Sequence, residues 1–120
     1  IFLARIGYLA KLTNTTAKEV LTMPQSDRYT YTARVLKAMA HPTRLFILDQ
    51  LKQSEHCVCE LQELIGIDMS TVSRHLSVLR EAGIISSRRH NNNIYYRIER
   101  PCVLDVYTCI ISKEGSQSHE

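Results

Sequence analysis

The sequence predicts a mainly α-helical domain that carries a β-hairpin wing, arranged as a winged helix-turn-helix. Three observations support this fold class. Four segments before residue 83 repeat apolar residues every three or four positions, a spacing typical of amphipathic helices. Beyond Gly83 the apolar period becomes two, which is typical of half-buried strands. Pro101 then suits the first position of a last helix.

The first two predicted helices are separated by His41-Pro42. The first covers residues 29–40, after a linker at 24–27, and the second covers residues 42–53. The helical period of the first segment is shown by Tyr29, Ala33, Leu36 and Ala40, which recur at three- and four-residue spacing. In the second helix the predicted inward positions are Leu45, Leu48 and Leu51, widened by Phe46 and Ile47.

The next two segments have the order of a helix-turn-helix. Cys57-x-x-Glu60 has the spacing of a capping box, with cysteine in the place of serine, and Gly66 is a typical residue after a helix end. A tight turn over 67–69 leads into a second helix over 70–82. Its predicted buried stripe is Val72, Leu76 and Leu79.

The wing follows Gly83. Residues 84–89 and 94–99 are the predicted strands, and residues 90–93 (His-Asn-Asn-Asn) are a turn of residue types that tolerate left-handed backbone. The last helix is expected to run from Pro101 to about residue 112.

The chain of 120 residues is expected to hold one domain, residues 29–112, between an N-terminal arm (1–28) and a flexible tail (113–120). Residues 1–12 are apolar but too short to span a membrane. Either residues 1–22 are sequence upstream of a natural start at Met23, or residues 1–12 form a helix that packs on a partner subunit. A cytoplasmic protein is predicted, with no membrane partner and no organic cofactor.

The net charge of +3 is consistent with nucleic acid, and residues 68–100 hold six arginines against three acidic residues. In a helix-turn-helix the second helix enters the major groove of DNA. The predicted contacts from this helix are Ser70, Thr71, Ser73, Arg74, His75 and Ser77. Those from the wing tip are Arg88, Arg89, His90 and Asn91. The alternative is a solvated helix face and a polar hairpin without a ligand.

Cys57 and Cys59 place two soft metal ligands at the start of the helix-turn-helix. Backbone N–H groups at a helix start favour anionic groups such as thiolates. Residues i and i+2 of a helix point about 200° apart. Both cysteines can therefore hold one ion only if the first turn is distorted or Cys57 stays non-helical. Counting alone would also allow two disulfides, but no convincing secretion signal precedes the four cysteines.

Four stretches together resemble the ArsR/SmtB family of metal-sensing repressors: LKAMAHPTRLFILDQL (36–51), CVCEL (57–61), MSTVSRHLSVLREAGII (69–85) and IYYRI (94–98). The resemblance implies a homodimer formed mainly through the first and last helices. It also implies binding to double-stranded operator DNA without metal and release when metal binds.

Within that family, Cys-Val-Cys resembles the arsenite/antimonite sensors and the cadmium/lead sensors. Gln62 stands where arsenite sensors often have a third cysteine, and no cysteine precedes Cys57 as in the cadmium/lead type. As(III) or Sb(III) is the expected inducer, with Cd(II) or Pb(II) as the alternative. Because trivalent arsenic favours three thiolates, Cys102 or Cys109 is expected to supply the third. Asp105 has no histidine partner, so zinc is not expected on the last helix.

Two other functions compete with metal sensing. The same fold can be a thiol redox sensor whose cysteines form disulfides on oxidation, or a winged helix that binds only proteins. An enzyme is not predicted, because the sequence has no Cys-x-x-Cys on a βαβ unit, no phosphate loop and no His-Glu-x-x-His.

Overall fold

The computed structural model describes residues 23–117, which form a winged helix-turn-helix. The elements in chain order are α1 (Gln25–Met39), α2 (Pro42–Gln53), β1 (His56–Cys57), α3 (Val58–Ile65), α4 (Met69–Glu81), β2 (Ile85–His90), β3 (Asn93–Ile98), a 3-10 turn (Pro101–Val103) and α5 (Leu104–Gln117). Within this range no helix is long and apolar enough to cross a membrane. The predictions for residues 1–22 lie outside the described residues.

Helix α1 begins earlier than predicted, at Gln25, so most of the linker expected at 24–27 is helical. Its buried side is Tyr31, Val35, Ala38 and Met39. The apolar residues whose spacing predicted the helix lie on the other side, where Tyr29 is 66% and Leu36 is 46% exposed. The helix is therefore apolar on two sides, and only one of them packs in the single chain.

Helices α2 and α4 supply the centre of the core. The stripe predicted for α4, Val72, Leu76 and Leu79, is fully buried, which confirms the helical period of that segment. Ile47, Leu48 and Leu51 of α2 pack with it, whereas Phe46 lies at the surface. Burying each such side chain contributes about 1.5–3 kcal/mol. This shared core fixes the orientation of α4 on the rest of the domain.

The wing matches its prediction to within one residue. His90 pairs with Asn93 across a two-residue turn, and Asn91 and Asn92 have φ of 49° and 66°. Such turns need left-handed backbone at both central residues, which asparagine tolerates better than most residues.

Strand β1 was not predicted. His56 pairs with Tyr96 and Cys57 pairs with Tyr95, so the sheet has the order β1-β3-β2. A strand of two residues leaves no alternating pattern in a sequence. Its consequence is that the segment carrying Cys57 is hydrogen-bonded to the wing.

The last helix is preceded by a 3-10 turn. Pro101–Val103 form this turn and α5 continues to Gln117, five residues beyond the predicted end. Leu104 is buried in the core, whereas Val106, Ile110 and Ile111 are about half exposed (47, 59 and 53%). One side of α5 is therefore apolar and open to solvent in the single chain.

Candidate nucleic-acid interface and thiol site

The solvent side of α4 carries most of the predicted DNA contacts. Ser70, Ser73 and Arg74 are exposed, and Ser77 is half-buried one turn further along. This side is opposite the buried stripe because 100° separates successive residues of a helix. Hydroxyl and guanidinium groups therefore form a continuous polar strip on the second helix of the helix-turn-helix.

Asp68 caps the N-terminus of α4. One carboxylate oxygen accepts from the Thr71 backbone N–H at 3.0 Å and from the Ser70 hydroxyl, and the other accepts from the Thr71 hydroxyl at 2.8 Å. These bonds, led by those from the Ser70 and Thr71 hydroxyls, lower the pKa of Asp68 to about 2. Because both hydroxyls donate their hydrogen to Asp68, they can only accept hydrogen bonds from a ligand. Such acceptors suit the amino groups of bases rather than phosphates.

His75 does not lie on the polar strip. Its half-buried ring lies 4.4 Å from that of His41, and the Arg44 guanidinium Nη1 is 3.4 Å from its Nδ1. Burial first, and then the charges of His41, Arg44 and Arg74, lower the pKa of His75. The side chain contacts the start of α2, and its role in DNA contact stays a prediction.

The wing tip presents Arg89, His90 and Asn91 to solvent. Arg88 is also exposed, but its guanidinium is bonded to Glu55, with Nη2 2.6 Å from Oε2. Its Cζ lies 5.5 Å from the centre of the Tyr95 ring. This ion pair lowers the pKa of Glu55, chiefly through the hydrogen bond from Arg88. Arg88 is therefore the predicted wing residue that is held in an ion pair, while Asn91 Nδ2 lies 3.3 Å from His90 Nε2.

Cys57 caps α3 as its sequence predicts. Its sulfur accepts from the Glu60 backbone N–H at 3.4 Å, and Glu60 Oε1 accepts from the Cys57 N–H at 3.4 Å. Both bonds of the capping box are present. The side chain is only 3% exposed, so Cys57 is buried although it stands at a helix start. The pairing of β1 with β3, which was not foreseen, accounts for this burial.

The two sulfurs of the Cys-Val-Cys motif meet. Cys57 has extended backbone (φ −80°, ψ 162°), so it lies outside the helix that Cys59 has entered. Their Cα atoms are 5.4 Å apart and their sulfurs are joined in a disulfide. Of the two geometries that allow both cysteines to reach one point, the structure has the one in which Cys57 is non-helical. The motif can thus act as one unit without distortion of α3.

Cys102 and Cys109 are free thiols on the surface. Cys102 lies in the 3-10 turn rather than in the first turn of an α-helix, and Cys109 lies on α5 beside the exposed Ile110. Among residues 23–112, whose side chains the structure describes, no three histidine, cysteine or acidic side chains are close enough to hold a metal ion. The described part of one chain therefore brings two sulfurs together for a metal ion. A third sulfur would have to come from another subunit or from a rearrangement of the chain.

Two residues with contacts at the candidate site were not predicted. The cap at Asp68 had a signal, because Asp-x-x-Thr before an apolar stripe is an N-cap pattern. Glu55 had none, since its partner Arg88 is 33 residues away.

The comparisons with known proteins agree on a regulatory family. Residues 41–87 match the bacterial regulatory proteins of the arsR family. The biofilm growth-associated repressor of Agrobacterium fabrum is 45% identical over 80 residues, which cover 67% of this chain and 68% of the relative. The protein of the same description from Xylella fastidiosa is 44% identical over 66 residues, 55% of this chain and 58% of that protein's length.

A solved structure supports the same fold. Mb0332 from Mycobacterium bovis is described as a homodimeric winged helix-turn-helix DNA-binding domain, fragment 1–100, of a possible ArsR-family transcriptional regulator. It is 30% identical, with a TM-score of 0.68 over 82% of this chain and 95% of that chain. These descriptions are of regulators, which confirms the prediction that the chain is not an enzyme.

Proposed function

This chain belongs to the arsR family of bacterial regulatory proteins, and we propose that it is a homodimeric repressor that releases operator DNA when arsenite or antimonite binds its cysteine thiolates. The observation that carries the ligand part is the meeting of the Cys57 and Cys59 sulfurs at the start of α3. When reduced, this pair presents two soft donors on the first helix of the helix-turn-helix. Soft thiolates favour thiophilic ions such as these.

The DNA part of the proposal rests on charge and placement. Arg74 and the serines of α4 point away from the core, and Arg89 and His90 lie at the tip of the wing. A helix in the major groove flanked by a basic wing can contact base edges and the backbone at once. The Agrobacterium and Xylella relatives are described as repressors, and we extend that activity to this chain.

The homodimer is inferred from two apolar surfaces and one relative. Tyr29 and Leu36 on α1, and Ile110 and Ile111 on α5, leave large apolar side chains exposed in the single chain. Contiguous apolar surface of this kind marks protein interfaces. Because Mb0332 is described as homodimeric, we propose that α1 and α5 form the interface here.

A third thiolate is expected from Cys102 or Cys109 of either subunit. Both are exposed and free to bind, and Cys109 lies on the side of α5 proposed for the interface. A dimer can therefore bring either of them to the Cys57–Cys59 pair. With only two sulfurs in place, cadmium or lead would remain the alternative inducers.

The test is a titration of the reduced full chain bound to a fluorescent duplex from its own promoter. Anisotropy reports DNA release as arsenite, antimonite, cadmium, lead or zinc is added. Release at near-stoichiometric arsenite or antimonite, lost in Cys57→Ser and Cys59→Ser, supports the proposal. Release by cadmium or lead alone would change the ion assigned as inducer and would still support the repressor function. Normal release by arsenite from both variants would overturn the thiolate site.

A second candidate, a thiol redox-sensing repressor, is favoured by the disulfide between Cys57 and Cys59. Forming it removes two electrons and two protons from the thiols, so an oxidant could produce the same change at the start of α3. Release of the duplex by a peroxide, reversed by a dithiol reductant and unaffected by every metal, would select this function.

A further inference from the structure

The wing arginine Arg88 is bound by an acidic residue from outside the wing. Its Nη2 donates to Glu55 Oε2 at 2.6 Å, and its Nε lies 3.2 Å from Oε2 and 3.4 Å from Oε1. A second ion pair, Arg97–Glu99, joins two positions only two residues apart. The Glu55 pair, in contrast, connects the wing to a segment 33 residues earlier in the chain.

That segment is the one that leads into the thiol motif. Glu55 lies two residues before Cys57, and β1 begins between them. Across the sheet, Cys57 pairs with Tyr95 and Tyr95 pairs with Arg88, so these three residues form one row. The Arg88 guanidinium also lies against the Tyr95 ring. A change of backbone at Cys57 thus has two short routes to Arg88, through the sheet and through Glu55.

We propose that Glu55 competes with DNA phosphate for Arg88 and so weakens operator binding while the Cys57 and Cys59 sulfurs are joined. The inference rests on the proposed repressor function and names the residues that connect the thiol motif to DNA affinity. Glu55 is a positioning residue in this scheme, since it acts through Arg88 and does not touch DNA.

The chemistry of the guanidinium makes the two partners exclusive. Carboxylate and phosphate both use parallel N–H donors of arginine, and Nε and Nη2 are already directed at Glu55. A DNA phosphate would have to displace Glu55. Otherwise it would bind only the remaining N–H donors of Arg88, next to the negative charge of the Glu55 carboxylate. Arg89, the next residue, has no ion-pair partner within residues 23–112 and is not restricted in this way.

The connection fits the direction of the proposed response. The structure has the sulfurs joined and the Glu55–Arg88 pair formed at the same time. A dithiol reductant, itself oxidised in the exchange, converts the disulfide to two thiols, so Cys59 is no longer bonded to Cys57. On this proposal the Glu55–Arg88 pair then loosens, and Arg88 becomes available to the DNA backbone.

The experiment measures binding of the oxidised full chain, with its Cys57–Cys59 disulfide intact, to the promoter duplex over a range of salt concentrations. Glu55→Gln is expected to bind about two- to fivefold more tightly per wing, the range of one exposed ion pair. The slope of log affinity against log salt should become steeper by about one per wing, because one more phosphate is neutralised.

Three controls separate this effect from a general loss of negative charge. Glu63→Gln removes an equal charge from an exposed position on α3 and should leave the slope unchanged. In an Arg88→Ala background Glu55→Gln should change neither affinity nor slope, whereas in an Arg89→Ala background it should still raise both. Equal effects of Glu55→Gln and Glu63→Gln, or weaker binding by Glu55→Gln, would overturn the competition. Wild type that binds no DNA even when reduced would instead refute the repressor function, and this inference with it.

Discussion

The ring centroids of His41 and His75 lie 4.4 Å apart where the start of α2 meets α4, the helix proposed to read DNA. His41 also caps α2, since its Nδ1 accepts from the Thr43 backbone N–H at 3.1 Å. Arg44 approaches His75 from the same side, with its Nε donating to the Ala38 carbonyl. Two imidazoles and a permanent cation thus share one junction, so a proton added there meets repulsion.

This junction predicts a pH-dependent stability. Burial and the charges of His41, Arg44 and Arg74 lower the pKa of His75 from its usual 6.5. The unfolded chain therefore binds a proton at higher pH than the folded chain, and the free energy of unfolding falls as the pH drops below about 6.5. Urea unfolding of wild type and His75→Gln on either side of that pH checks this. An equal loss of stability in the variant on acidification would contradict the role of His75.

Asp68 is the opposite case to His75, because the folded protein favours the charged form of its side chain. Its pKa of about 2 lies below the usual 3.8. The contribution of the carboxylate to the free energy of unfolding is therefore complete above about pH 3.8 and is lost as the pH falls through about 2. Asp68→Ala is expected to lower the urea midpoint near neutral pH, and this difference should shrink in strong acid. Asp68→Ser keeps an oxygen that can accept from the Thr71 N–H and should retain most of the stability. A difference that is constant with pH would show that the carboxylate charge is not involved.

The cases of Cys57 and Glu55 show what a sequence can and cannot predict here. The cap at Cys57, the buried stripe of α4 and the turn at Asn91 depend on residues within a few positions of each other, and all three were predicted. The burial of Cys57 and the contact of Glu55 with Arg88 depend on a strand pairing across more than 30 residues. No local period records such a pairing.

The side of α1 that packs is a second example. Tyr29 and Tyr31 are both apolar enough for a core, and the helical period alone does not rank the two sides. The positions of α2 and α4 decide which side of α1 packs, and Tyr31 lies on the side that is buried. The side with Tyr29 and Leu36 stays exposed in the single chain, and it is the side that we propose for the contact with a second subunit.

The turn of the wing predicts that substitutions at Asn92 change the stability according to how well the new residue tolerates left-handed backbone. Its φ of 66° is left-handed, where a β-branched side chain is disfavoured by about 1–2 kcal/mol and glycine is not. Asn92→Val should lower the free energy of unfolding by about that amount, and Asn92→Gly should keep or raise it. Thermal unfolding of the two variants measures both. Equal midpoints would contradict the left-handed turn.

The thiol pair predicts that structural and sensing roles can be separated. Under reducing conditions Cys57→Ala removes the acceptor for the Glu60 N–H and should cost about 1 kcal/mol, whereas Cys57→Ser retains an N-cap. Cys59 is exposed and caps nothing, so Cys59→Ala should leave the unfolding midpoint unchanged. All three variants lack one of the two sulfurs, and all three should bind the promoter duplex without releasing it on addition of arsenite. Unfolding curves and anisotropy titrations of the same preparations test this. A Cys57→Ser protein that still releases DNA, or a Cys59→Ala protein as unstable as Cys57→Ala, would show that the two cysteines do not divide these roles.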